Sequence, residues 1–174
     1  APRLSWRLGR GSPVGMPDPS RGLDPELSDR LQDHVVLVGF GPAGQRVAKL
    51  TMADRDREIV VVELDRRTAE IARNYGLGTL IGDAARAEVL TRVGVESAAC
   101  VVITVPDPWT ARHIVQQVGA LAPLVPIVVR SRYHVHRWQL TTAGADAVVD
   151  EEQEVGIQIA REVRLRLLEA SEGP

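Results

Sequence analysis

The residues best suited to chemistry are Gly39-Phe40-Gly41-Pro42-Ala43-Gly44 and, nineteen residues after Gly44, Glu63. The glycines have G-x-G-x-x-G spacing. They follow a short apolar run and open a helical pattern, a context that turns a common motif into a specific one. Each glycine then has its own task. Gly39 allows the tight turn, Gly41 lets phosphates approach the backbone, and Gly44 lets the next helix pack closely on the strand. Backbone N–H groups from Ala43 onward would meet an anion at the positive end of that helix. Pro42 lacks an N–H, which costs little in a first helical turn. Glu63 closes the second strand, where an acid hydrogen-bonds ribose hydroxyls and repels a 2′-phosphate. Asp65 is a second ribose candidate beyond Leu64, and Arg66 with Arg67 weakens the repulsion slightly. The ligand expected is an adenine nucleotide (AMP, ATP or NAD(H)), with NADP disfavoured.

Further candidates fall at the ends of later strands. Asp83, within Gly82-Asp83-Ala84, could accept from an adenine amino group or cap a helix. Thr104 and Val105 follow the fourth strand, at the carboxyl edge where α/β sheets bind ligands. Asp107 with Pro108 reads as a cap and a first helical position. Arg130 closes the fifth strand and could pair a distal phosphate bidentately or form a surface salt bridge. The expected binding set is therefore Gly39, Phe40, Gly41, Pro42, Ala43, Gly44, Glu63, Leu64, Asp65, Arg66, Gly82, Asp83, Ala84, Thr104, Val105 and Arg130. No catalytic residue joins it. Tyr75 and Tyr133 have no lysine nearby, Lys49 stands alone in the first helix, and no Gly-Lys-Ser/Thr phosphate loop occurs. No substrate domain is legible after residue 169.

Positioning these residues requires alternating strands and helices. Strands are expected at 34–39, 58–63, 78–82, 99–105, 126–130 and 146–149, as nearly continuous apolar runs rich in Val and Ile. Such runs belong to strands buried on both faces, hence to a parallel sheet. Helical patterns lie near 43–53, 66–75, 85–93, 108–121 and 132–143. The alternation predicts an α/β, Rossmann-like, doubly wound parallel six-stranded sheet of order 3-2-1-4-5-6 with a C-terminal helix. That helix, at 151–169, is capped by Asp150 with Gln153 three residues on. Val155, Ile159, Val163 and Leu167 form an apolar stripe, which Leu168 widens. The stripe either packs on its own sheet or serves a dimer or another domain, and Leu165, off the stripe, adds a second apolar surface.

Length and composition agree with one domain. The chain has 174 residues, 44% apolar and 25% charged, with a net charge of −2. That balance disfavours nucleic acid as a partner. Cys100 is the only cysteine, which excludes an internal disulfide and a cysteine zinc cluster and suits a reducing cytosol. His34, His113, His134 and His136 form no convincing metal-ligand spacing. No apolar run spans a bilayer and no signal peptide is legible. Residues 1–30 read as a linker or juxtamembrane lead, with five of the eleven prolines and with Arg3, Arg7 and Arg10. The expected units are that lead, a nucleotide-binding domain over 31–150, and a helix and tail over 151–174.

The runs Val36–Gln45, Val60–Asp65, Gly82–Ala84, Val102–Asp107, Val128–Arg130 and Gly144–Val149 together resemble the regulator of potassium conductance domain, also called TrkA-N or KTN. The closest flavour is the cytosolic C-terminal domain of Kef-type monovalent cation:proton antiporters, which the run Val148–Gly156 and the basic lead also resemble. The resemblance implies a regulatory adenine-nucleotide site, a homodimer, and attachment at the cytoplasmic face to a membrane-embedded antiporter domain. It places Gly39, Gly41 and Gly44 on phosphates, Glu63 on ribose and Asp83 by the adenine. The competing expectations are an NAD-dependent oxidoreductase-like enzyme and a regulatory subunit of a potassium channel or Trk-type uptake system.

Overall fold

The computed structural model describes residues 30–54 and 57–171. The basic lead expected over 1–30 lies almost wholly outside the described residues. The chain alternates as expected: β1 (Val35–Val38), α1 (Pro42–Asp54), β2 (Ile59–Glu63), α2 (Arg66–Asn74), β3 (Gly78–Ile81), α3 (Ala87–Arg92), β4 (Cys100–Ile103), α4 (Pro108–Leu121), β5 (Ile127–Ser131), α5 (Arg137–Thr142), β6 (Ala147–Asp150) and α6 (Glu151–Ser171). The six strands are parallel, in the order β3-β2-β1-β4-β5-β6. The order reverses between β1 and β4, so their carboxyl ends flank a crevice.

Strand alternation sorts the core into two layers. Val36, Val38, Val60, Val62, Val101, Ile103 and Val129 face one side and pack with Leu90, Ile114, Val115, Val118 and Leu140 of α3, α4 and α5. Val35, Leu37, Ile59 and Val61 face the other and pack with Phe40, Ala48, Ala72 and Leu77. That second layer lies over β1 and β2. Further along the same face Val102 and Val128 are half-buried, and Ala147 and Val149 on β6 are exposed. At the amino end of β1, His34 is buried and its Nε2 donates to the Val93 carbonyl at 2.8 Å.

Two expected helices are shorter than the pattern suggests. The 132–143 segment divides into a 3₁₀ turn, His134–His136, followed by α5. Tyr133 is still extended (φ −125°), and Ser131 Oγ donates to its carbonyl at 2.8 Å, which prolongs the strand conformation. The 85–93 segment becomes α3 only from Ala87. Asp83 Oδ1 accepts from Ala85 N at 2.9 Å, and Arg86 N donates to the Asp83 carbonyl, making a turn ahead of the helix. Asp83 therefore does not cap α3; Arg86 holds that position without a side-chain bond.

The C-terminal helix removes one of the two alternatives expected for its apolar stripe. Every residue from Glu152 to Glu169 is exposed, so the stripe does not pack on its own sheet. Leu167 is 66% exposed and Ile159 59%. The root of the helix is nonetheless tied down. Asp150 Oδ1 accepts from Gln153 N at 3.1 Å, the expected cap, and Asp150 Oδ2 pairs with the His134 ring. No helix among the described residues is long and apolar enough to cross a membrane.

Candidate nucleotide-binding cleft

The glycine loop adopts the geometry its spacing requires. Gly39 has φ +90°, a left-handed conformation that disfavours a side chain. A Cβ on Gly44 would lie 2.3 Å from the Gly39 carbonyl oxygen, so α1 approaches the turn as closely as glycine allows. A Cβ on Gly41 would meet nothing within 4 Å, so the backbone there is open to an incoming group. The helix begins at Pro42, and Gln45 N is bonded to the Gly41 carbonyl at 2.9 Å. The N–H groups of Ala43 and Gly44 precede that bond, in the first turn whose donors have no intrahelical acceptor. Phe40 divides its roles. Its side chain is fully buried, edge-on to Tyr75 with ring centroids 5.6 Å apart, and only its backbone serves the cleft.

Glu63 reaches that backbone. One carboxylate oxygen accepts from Phe40 N at 2.6 Å and the other from Asp65 N at 3.0 Å. The acid thus clamps the glycine turn to the end of β2. Each oxygen keeps a second lone pair for a hydroxyl. Asp65 is committed elsewhere: it caps α2, accepting from Thr68 N at 2.8 Å and Thr68 Oγ1 at 2.9 Å. The Thr68 amide holds its carboxyl below the usual range. Leu64 and Arg66 beside it are exposed. At the end of β3, a Cβ on Gly82 would crowd Val89 at 3.1 Å; Ala84 is buried and Asp83 is exposed. Gly82 N donates to the Glu63 carbonyl, which brings this corner to the clamp.

Across the crevice, buried Thr104 continues β4. Its N–H donates to the Val38 carbonyl at 2.9 Å. Its single hydroxyl proton serves the Gly39 carbonyl at 2.9 Å and the Val38 carbonyl at 3.2 Å. Val105 is half-buried beside Gly39. Arg130 donates from Nη1 to the Thr104 carbonyl at 3.1 Å, while its Nε lies 2.5 Å from a Glu151 carboxylate oxygen. The Nε–H is not aligned on any acceptor, so the contact with Glu151 is an ion pair, not a directed hydrogen bond. Asp107 caps α4 as expected, accepting from Thr110 Oγ1 and N, and the Thr110 hydroxyl and amide depress its carboxyl.

The structure thus brings together the glycine loop, Glu63, Thr104 and Arg130. Sequence reasoning missed a second cluster beside them at the root of α6. Glu152 accepts from His134 N at 2.7 Å, and Asp150 holds the His134 ring. Burial would raise the Asp150 carboxyl, but the Gln153 amide and His134 outweigh it and lower the pKa. The run Asp150-Glu151-Glu152 was legible only as a cap and a favourable first turn.

A parallel sheet of this order, with a glycine turn and a strand-end acid at the switch point, defines a Rossmann-type nucleotide-binding domain. The chain belongs to the TrkA-N domain family, whose model matches residues 35–151. It is 33% identical over 136 residues to K(+) efflux antiporter 1, chloroplastic, of Arabidopsis thaliana, covering 78% of this chain and 11% of that protein. It therefore spans about a ninth of that relative's length. The TrkA-N domain of the Escherichia coli inner membrane protein ybaL superposes with a TM-score of 0.71 at 28% identity, over 76% of this chain and 97% of that one. The Kef C-terminal domain of Shewanella denitrificans in AMP-bound form shares the fold, with a TM-score of 0.65 at 24% identity, over 77% and 80% of the two chains.

Proposed function

We propose that this chain is the cytosolic regulatory domain of a potassium or other monovalent-cation efflux antiporter, and that an adenine nucleotide bound in the cleft gates transport. The observation that carries the reading is the pairing of an open Gly41 with Glu63 held on the same turn. Phosphates would lie against the N–H groups of Ala43 and Gly44, and the ribose against Glu63. Asp83 and Arg66 would border the adenosine half, and Thr104, Val105 and Arg130 the far half. The Glu63 carboxylate disfavours a 2′-phosphate, so NADP binds least well. Membership of the TrkA-N family and likeness to a potassium efflux antiporter support the regulatory role over an enzymatic one.

The working unit in this reading is a homodimer at the cytoplasmic face of the membrane. Exposed Val149 on β6 and the bare stripe of α6 are apolar surfaces that a second copy would bury. Residues 31–150 form the sensing domain, 151–174 the transmitting helix and tail, and 1–30 the lead to a membrane-embedded antiporter domain of the same protein. Isothermal titration with AMP, ATP, NAD and NADPH tests the sensing role. We expect binding by at least one of the first three and weaker binding by NADPH. No binding by any of them, with protein in the tens of micromolar, overturns it.

A further inference from the structure

Arg130 connects the cleft to the root of α6. The Thr104 hydroxyl donates to the Gly39 carbonyl, and the Thr104 carbonyl accepts from Arg130 Nη1. The same guanidinium pairs with Glu151, the first residue of α6. Three residues therefore join the turn that would hold phosphate to the helix that leaves the body. The last link is an ion pair whose Nε–H is not aligned on the carboxylate, at a side chain that is 22% exposed. A ligand oxygen that reaches the guanidinium would compete with Glu151 for a charge-assisted bond.

Ligand length decides whether such an oxygen arrives. A mononucleotide with its phosphate on the glycine loop ends near Gly41. A longer nucleotide continues across the switch point, over Thr104 toward β5. Resting on the nucleotide reading of the cleft, we propose that Arg130 senses nucleotide length. Oxygens beyond the first phosphate take the guanidinium from Glu151 and free the root of α6, whereas AMP leaves the ion pair closed. Arg130 is then a positioning residue for α6 as well as a border of the far half-site.

Hydrogen–deuterium exchange of the 150–158 segment in the whole chain, read with AMP, ATP or NAD at saturation, tests this. ATP, NAD or both should speed exchange roughly threefold, a shift within reach of a partly exposed ion pair, and AMP should not. Whichever ligand acts tells whether terminal phosphates or a second ribose half supply the oxygens. Glu151→Gln should exchange fast without ligand and respond to none. Reciprocity adds a second readout: Glu151→Gln should bind the active long nucleotide roughly threefold tighter and AMP unchanged. An AMP response equal to that of the long nucleotides overturns the proposal. So does no response to ATP and NAD, or a response that survives Glu151→Gln. If titration detects no nucleotide at all, the reading of the cleft falls and this inference with it. If nucleotides bind but fail these comparisons, only this inference falls.

Discussion

The two halves of the sheet are finished differently. The β1–β3 half has a packed layer on each face, and its turn is clamped by Glu63. On the β4–β6 half the second layer gives out: Val102 still packs against it, but Ala147 and Val149 are exposed and α6 stands clear of the body. A rigid half suits the part that must present fixed N–H groups to a phosphate, because preorganised donors bind without reordering. An unfinished half suits the part that meets a partner, because its apolar surface stays unburied until the partner arrives. Thr104 sits on the seam between them, and Arg130 reaches it from β5.

The rigid half should break most sharply at Gly44. A Cβ 2.3 Å from the Gly39 carbonyl cannot be absorbed by a side-chain shift. Gly44→Ala should cost about 2–3 kcal/mol in urea unfolding and abolish nucleotide binding, as expected for overpacking against backbone. Gly41→Glu separates binding from folding. The space there is open, so stability should stay within about 0.5 kcal/mol of wild type, while the added negative charge lowers affinity at least about 30-fold in titration.

The unfinished half should respond in assembly instead. Replacing Ile159 and Leu167 by Glu on the exposed stripe should leave the unfolding free energy within about 0.5 kcal/mol. The same change should convert a dimer to a monomer in sedimentation. Monomeric wild type would instead mean that α6 serves another partner. The smallest expected effect is at Asp150. Its carboxyl is held below its unfolded value, so the stability it adds is present above the ordinary carboxylate range, about 3.9, and is lost as pH falls through the folded-state value. Asp150→Asn should remove that acid-side slope, read as thermal midpoint against pH from 6 down to 3.

Much of this organisation was legible in the chain itself. Apolar runs marked the six strands, and their alternation with helical patterns implied the sheet order. The caps at Asp107 and Asp150 were visible because capping is a local bond across three residues. Asp83 was ambiguous: a turn donor two residues on and a cap donor three residues on look alike in sequence. The helix over 132–143 was overestimated, because Ser131 and the acids after β6 hold Tyr133 and His134 out of it.

The glycine spacing, the acid closing β2 and the strand periodicity were determined by the sequence alone, since each depends on residues adjacent or a few positions apart. Tertiary structure decided what those residues touch. Glu63 turned out to clamp the glycine turn, Arg130 to bridge Thr104 and Glu151, and the α6 stripe to face solvent. These outcomes depend on where distant strands end beside one another and whether a helix turns back on its sheet. No local pattern encodes that, because an apolar stripe has the same period whether its own sheet or a second chain covers it.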